Sequence, residues 1–136
     1  MPEILKLPPS SNLRDPILQE RMERGYCNRL QGFLASQNGE EVGLLLYEDW
    51  SDKKSGFIYE IFILPLFRKK GMGTLLLMYA EQHAIQLNCE IIRLKPYALA
   101  QEPGNILLKN WYGKNGYQQC MDGHEFMKKY LNTPTP

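Results

Sequence analysis

The chain has 136 residues, 43% of them hydrophobic and 23% charged, with a formal net charge of +1. That length fits one domain with a real core, and the even charge excludes a global attraction to nucleic acid or membrane, so any anion site must be local. No apolar run is long enough to span a bilayer, and the first ten residues, with Pro2, Glu3, Pro8 and Pro9, lack the apolar stretch of a signal peptide.

One domain is expected over residues 1–136, with a short strand and loop over 1–14 and a flexible tail over 132–136. Glu3–Leu7 reads as a first strand, stopped by Pro8-Pro9. Asp15 opens a helix with Pro16 at its first position and Gly25 at its end. Leu30–Gln37 and Glu41–Trp50 read as the arms of a hairpin, because Asn38-Gly39 between them favours a two-residue turn with positive φ. Asp52 to Gly56 reads as a second turn. Phe57–Leu64 follows as a strand whose nearly continuous apolar run suits a central position covered on both faces. Pro65 ends it.

Gly71–Leu87 places Gly73, Leu76, Leu77, Ala80, Ala84 and Leu87 along one face of a helix. Glu90–Lys95 reads as a strand stopped by Pro96, and Asn105–Lys114 as a helix closed by Asn115-Gly116. Tyr117–Met121 and Glu125–Leu131 read as a hairpin about Asp122-Gly123. The predicted fold class is α/β (α+β): a mixed, mostly antiparallel sheet with helices on both faces. Cys27, Cys89 and Cys120 are odd in number and contain no Cys-x-x-Cys pair, which reads as reduced thiols in a cytoplasmic protein rather than a disulfide frame or a metal site.

The informative junction lies between Leu64 and Thr74. A buried strand runs into Arg68-Lys69-Lys70, and Gly71-Met72-Gly73 opens a long helix. The first amides of a helix lack internal partners and point outward, and the macrodipole favours an anion there. Glycines at 71 and 73 let a pyrophosphate approach the backbone, and the three basic residues supply counter-charge. A dinucleotide fingerprint would need a third glycine where Leu76 stands, and a Walker loop would need Gly-Lys-Ser/Thr. The residues alone leave two readings open: a phosphate site, or a solvated basic loop whose glycines merely cap a helix.

At this point the chain resembles the GNAT superfamily, the Gcn5-related N-acetyltransferases. The family's Arg/Gln-x-x-Gly-x-Gly/Ala signature corresponds to Arg68-Lys69-Lys70-Gly71-Met72-Gly73, after a strand and opening a helix. Glu60-Ile61-Phe62-Ile63-Leu64-Pro65 resembles the family's fourth strand. A second match lies downstream, where Asn105 stands seven residues before Tyr112 in Trp111-Tyr112-Gly113-Lys114-Asn115-Gly116-Tyr117. The resemblance covers roughly Leu30 to Tyr130. Two departures concern the acceptor side: the N-terminal region is shorter than usual in the family, and Pro96–Gly104 is longer than the usual connection.

The resemblance implies transfer of an acyl group from acetyl-CoA to a primary amine in a ternary complex, without a metal. It implies strands splayed around the cofactor's arm, with backbone groups near Ile61 to Ile63, Phe62 among them, pairing with that arm. The Ile63 amide would polarise the thioester carbonyl. Arg68, Lys69, Lys70, Gly71, Met72, Gly73 and Thr74 would hold the pyrophosphate. Asn105 would bond the pantetheine, or serve as a helix N-cap, or both. Tyr112 would also contact the cofactor and protonate the leaving thiolate. Glu60, in an apolar strand where burial raises a carboxyl pKa, would serve as the base; a strand-edge carboxylate facing solvent is the alternative.

His83 reads as a packed core histidine, and Tyr47, Trp50 and Trp111 as core aromatics. Cys120 and His124 flank a turn with nothing to orient them. The amine acceptor is unidentified, no membrane is involved, and assembly as a homodimer is left open. A non-catalytic acyl-CoA-binding module competes with the enzyme. A nucleic-acid domain built on Arg68 to Lys70 lacks a wider basic patch or interleaved aromatics.

Overall fold

The computed structural model describes residues 2–8, 12–24, 27–96, 105–120 and 126–131, with the backbone alone for 105–107. The strands are β1 (Glu3–Leu7), β2 (Leu30–Gln37), β3 (Glu40–Trp50), β4 (Ser55–Ile63), β5 (Ile91–Leu94), β6 (Gln118–Gln119) and β7 (Met127–Tyr130). They form one seven-stranded sheet in the order β1-β2-β3-β4-β5-β7-β6. Three helices join them: α1 (Pro16–Arg24), α2 (Met72–Gln86) and α3 (Asn105–Lys114). Every ladder is antiparallel except that between β4 and β5, where α2 carries the chain over as a crossover. The predicted mixed, mostly antiparallel sheet is therefore the observed one. No described helix is long and apolar enough to cross a membrane.

Local chemistry explains the elements. The Asp15 carboxylate accepts the amides of Ile17 and Leu18, at 2.9 and 3.1 Å, and so caps α1. Asn38 and Gly39 take φ of 53° and 80° at the β2–β3 turn. Along β3, Leu45 and Tyr47 face α2 and pack with Leu76, Leu77, Ala80 and Ala84. Leu44 and Leu46 face the other way and pack with Leu18 of α1. The sheet centre is thus covered on both faces, which is why β3 and β4 carry nearly unbroken apolar runs.

β4 contains the irregularity that matters for function. Its register with β3 passes from Tyr47↔Ile58 to Leu46↔Glu60, so Tyr59 is an extra residue, a β-bulge. The bulge resets which residues share a face. Ile58, Ile61 and Ile63 pack on the α2 side, whereas Tyr59 and Phe62 pack on the α1 side. Strict alternation from Ile58 would have put Glu60 among the α2 contacts; instead it meets Arg21 of α1.

Two expectations change. Gly56, expected in a turn, lies inside β4, and the turn is a short 3-10 segment over Ser51–Lys53 followed by Lys54 at φ 58°. Gly56 is glycine because a Cβ there would sit 2.1 Å from the Tyr47 hydroxyl oxygen. Trp50, expected in the core, is only half-buried and carries the Arg29 guanidinium over its ring at 3.7 Å. The C-terminal hairpin is present but short, and its turn, residues 121–125, lies outside the described residues, as do Gly25 and the tail over 132–136.

His83 is a packed histidine, as expected. Its ring meets Phe33 and Tyr47 edge-on, it bonds Gln31 at 2.7 Å, and burial lowers its pKa. The Tyr47 hydroxyl is buried with no hydrogen-bonding nitrogen or oxygen among the described residues. Burial drives its pKa above the usual range, and the nearby Cys89 thiol adds to the shift. An unmet buried hydroxyl costs roughly 1–3 kcal/mol. Tyr47→Phe is therefore expected to leave stability unchanged or raise it by about 1 kcal/mol, and Gly56→Ala to lower it by about 2 kcal/mol through overpacking. Urea unfolding of both variants reads this; a marked loss in Tyr47→Phe would show that the hydroxyl is bonded after all.

Candidate functional site

The parallel ladder between β4 and β5 runs only from Ser55↔Ile91 to Ile58↔Leu94. β4 continues to Ile63, so among the described residues no strand lies beside its β5-facing edge from Tyr59 onward. The direction of its polar groups follows from one bond. Leu64 N–H donates to Val42 O at 2.9 Å, on the β3 side. Backbone groups alternate along a strand, so those of Ile63 and Ile61 turn toward the β5 side. The Ile63 carbonyl is taken: Arg68 Nε donates to it at 2.8 Å. An extended chain could lie along this edge as a strand would.

After β4 the chain makes a 3-10 turn over Pro65–Phe67, then passes through Lys69 at φ 64° and Gly71 at φ 80° into α2. The first α2 bond runs from Leu75 N–H to Gly71 O at 3.0 Å. The amides of Met72, Gly73 and Thr74 precede it and lie at the positive end of a 15-residue helix. The approach to them is open. Among the described residues, a Cβ on Gly71 would meet nothing within 4 Å, and one on Gly73 would touch only the Trp111 ring at 3.7 Å. Lys69 and Lys70 are exposed. Arg68 has a task that its sequence position did not show: it clamps the end of β4 through Ile63, with its guanidinium 5.3 Å from the Phe62 ring.

The two predicted segments meet here. Trp111 of α3 lies against Gly73 at the start of α2. Next to it, Tyr112 is 7% exposed, with ring contacts to Trp111 and Tyr117 at 4.8 and 5.7 Å. Asn105 is the first residue of α3, but its side chain lies outside the described residues. His124 lies outside them too, and Cys120 is buried. Cys27, Cys89 and Cys120 are free thiols. No group of three or more His, Cys, Asp or Glu side chains gathers among the described residues.

Glu60 does not face solvent. Its side chain is 10% exposed and pairs with Arg21, 12% exposed, at 2.5 Å. Burial raises its pKa, and the charges of Arg21 and Arg24 pull it part of the way back. Arg21 also stacks over Phe62 at 3.9 Å. Arg21 was invisible in sequence, being 39 residues from its partner on a different element. The bulge at Tyr59 is what turns Glu60 toward it.

Comparison with known proteins agrees with this geometry. The sequence profile of the acetyltransferase (GNAT) family matches residues 3–117. An uncharacterized N-acetyltransferase of Bacillus subtilis, YhfO, is 30% identical over 105 residues, covering 74% of this chain and 65% of that one. The chain spans less than two thirds of the curated relatives it matches, 45% and 65% of their lengths. Among solved structures, an IAA acetyltransferase from Bacillus cereus superposes with a TM-score of 0.76 at 16% identity, covering 96% of this chain and 100% of that one. A GNAT family acetyltransferase from Elizabethkingia anophelis with acetyl-CoA bound gives 0.72 at 15% identity, over 96% and 98%. At these identities the structures show a common fold.

The clamp at the end of β4 is testable by itself. Arg68→Met should lower stability by about 1 kcal/mol, the usual worth of one such bond. Arg68→Lys should recover little, because an ammonium cannot reproduce the planar guanidinium at both Ile63 and Phe62. Chemical denaturation distinguishes the two; an unchanged midpoint in both would show that the bond contributes nothing to the fold.

Proposed function

The chain belongs to the acetyltransferase (GNAT) family, and on that premise we propose that it is an acetyl-CoA-dependent N-acetyltransferase. It transfers the acetyl group to a primary amine by direct attack in a ternary complex. The observation that carries this reading is the unpaired β4 edge over Tyr59–Ile63, tied through Arg68 to a glycine-opened helix start. A long donor with an extended arm and a pyrophosphate fits both features. The arm finds strand-like partners in the backbone of Ile61 and the Ile63 N–H; the backbone of Phe62, expected to share this role, turns toward β3. The pyrophosphate finds the amides of Met72, Gly73 and Thr74, the open space over Gly71, and the charges of Arg68, Lys69 and Lys70. Asn105 and Tyr112 would complete the grip from α3. The reading extends to a single acyltransferase domain in the cytoplasm, where the three thiols would stay reduced.

Bound acetyl-CoA supplies an activated thioester. The chain's own residues would do the rest. The Ile63 N–H, on the β5-facing edge, would donate to the carbonyl oxygen as negative charge grows on it. Glu60, its pKa raised by burial, would take a proton from the acceptor ammonium, directly or through a water. Tyr112 would return a proton to the leaving sulfur. The competing reading, a module that binds acyl-CoA without turnover, draws on the Arg21–Glu60 pair, which occupies the proposed base.

Two measurements test this. Acetyl-CoA at about 100 times its Kd should stabilise the protein by about 2.7 kcal/mol. Gly73→Val should stay folded, since its Cβ meets the Trp111 ring at ordinary contact distance, yet lose that stabilisation. Gly71→Val should also weaken the fold, because φ of 80° strains a β-branched residue. A Gly73→Val protein stabilised like the wild type would place the phosphates elsewhere.

Tyr112→Phe should bind acetyl-CoA as before and turn over more slowly, by about 10²- to 10⁴-fold if the hydroxyl protonates the thiolate. A thiol's ordinary pKa of about 8.5 makes the leaving group fair already, so the low end is expected. An unchanged kcat would assign the proton to solvent.

A further inference from the structure

The Arg21–Glu60 pair has a second consequence. Both side chains are about nine-tenths buried, and they are held at 2.5 Å. The guanidinium stacks over Phe62 at 3.9 Å, so it is fixed on the α1 face of β4, two residues along from Glu60. Arg24, the other α1 cation acting on Glu60, has its own partner in Glu20. Glu60 and Arg21 therefore balance one charge against one, in a place where both are largely shielded from bulk water.

That balance constrains what can bind beside it. A simple monoamine that took the Glu60 carboxylate would leave the Arg21 guanidinium buried without its anion, and an unpaired buried charge is strongly unfavourable. A molecule carrying both an ammonium and a carboxylate avoids this. It can open the pair and close both halves, ammonium to Glu60 and carboxylate to Arg21. The planar, always-charged guanidinium, held by the Phe62 ring, suits the two oxygens of a carboxylate.

We infer that the acceptor is an amino acid-like amine that bears its own carboxylate, and that Arg21 is the residue selecting it. This rests on the acetyltransferase reading of the site and deepens it. The carboxylate adds nothing to the chemical step; its recognition aligns the amine. The ammonium gives one proton to Glu60, its nitrogen attacks the acyl carbon, and the C–S bond breaks. The thiolate takes a proton from Tyr112, the second nitrogen proton passes through water to the Tyr112 oxygen as the amide forms, and Glu60 releases its proton to solvent.

The test uses the full chain, acetyl-CoA and matched pairs of acceptors: α-amino acids and the monoamines that differ from them only by the missing carboxylate. The amino acid of each pair should show a kcat/KM higher by about 10²-fold or more, because a site built for a buried polar group rejects the analogue lacking it. Arg21→Met should bring the ratio close to one, with KM for the amino acid rising most, and Arg21→Lys should restore part of it. The acid limb of the monoamine pH–rate profile should also move to higher pH in Arg21→Met, since Glu60 loses the cation that favours its ionised form. Monoamines or peptide N-termini used as well as amino acids by the wild type would overturn the inference and leave the acetyltransferase reading standing. So would an Arg21→Met protein that keeps the wild-type ratio. Acetyl-CoA binding with no amine of either series acetylated would overturn both. If Arg21→Met does not fold, the wild-type ratio alone decides.

Discussion

One extra residue in one strand organises this molecule. The bulge at Tyr59 shifts the phase of β4 midway, so its first half alternates against α2 in one register and its second half in another. A bulge also increases local twist. On the β5 side the ladder ends at Ile58, one residue before the bulge. A continuous sheet would have bonded the backbone of Ile61 and Ile63 to a neighbouring strand. Among the described residues those groups face an edge without one, and the Ile63 carbonyl is held by Arg68 instead.

The charges follow the same economy of place. With a net charge of +1 the protein has no field to attract an anion from afar. Instead it concentrates donors at the start of α2, where the helix geometry presents amides and the missing Cβ atoms at 71 and 73 leave room. Arg68 links this end to β4 by holding the Ile63 carbonyl, so the loop before α2 and the end of β4 are tied together. On the opposite face of β4 the largely buried carboxylate of Glu60 is countered by the guanidinium of Arg21, stacked over Phe62. A lone carboxylate there would tend to take up a proton, whereas the cation beside it favours the ionised form.

The helices, most of the turns, and the basic loop with its glycine-opened helix start were legible in the chain because their determinants are local. Asn38-Gly39 demands its turn whatever surrounds it, Asp15-Pro16 starts α1 by its own side-chain and ring chemistry, and the spacing of Leu76, Leu77, Ala80 and Ala84 makes one apolar face. Gly71 and Gly73 report close approach or positive φ directly. Two local signals misled because the residue had a second use. Gly56 read as a turn residue, yet its missing Cβ serves the Tyr47 ring across the sheet. Arg68 read as one of three equal cations, yet it alone bonds the end of β4.

What tertiary structure alone decided is the pairing of groups far apart in the chain. The period-2 pattern of β4 cannot announce a bulge, since an apolar run covered on both faces looks the same in either phase. That phase determines whether Glu60 meets α2 or α1, and so whether Arg21 is its partner. Nor could spacing alone show that β5 stops pairing at Leu94, or that Trp111 comes against Gly73. Local residue types determined that there would be a strand, a basic loop and a helix start. Long-range register, set by packing on two faces at once, determined which edge opened and which charges closed on each other.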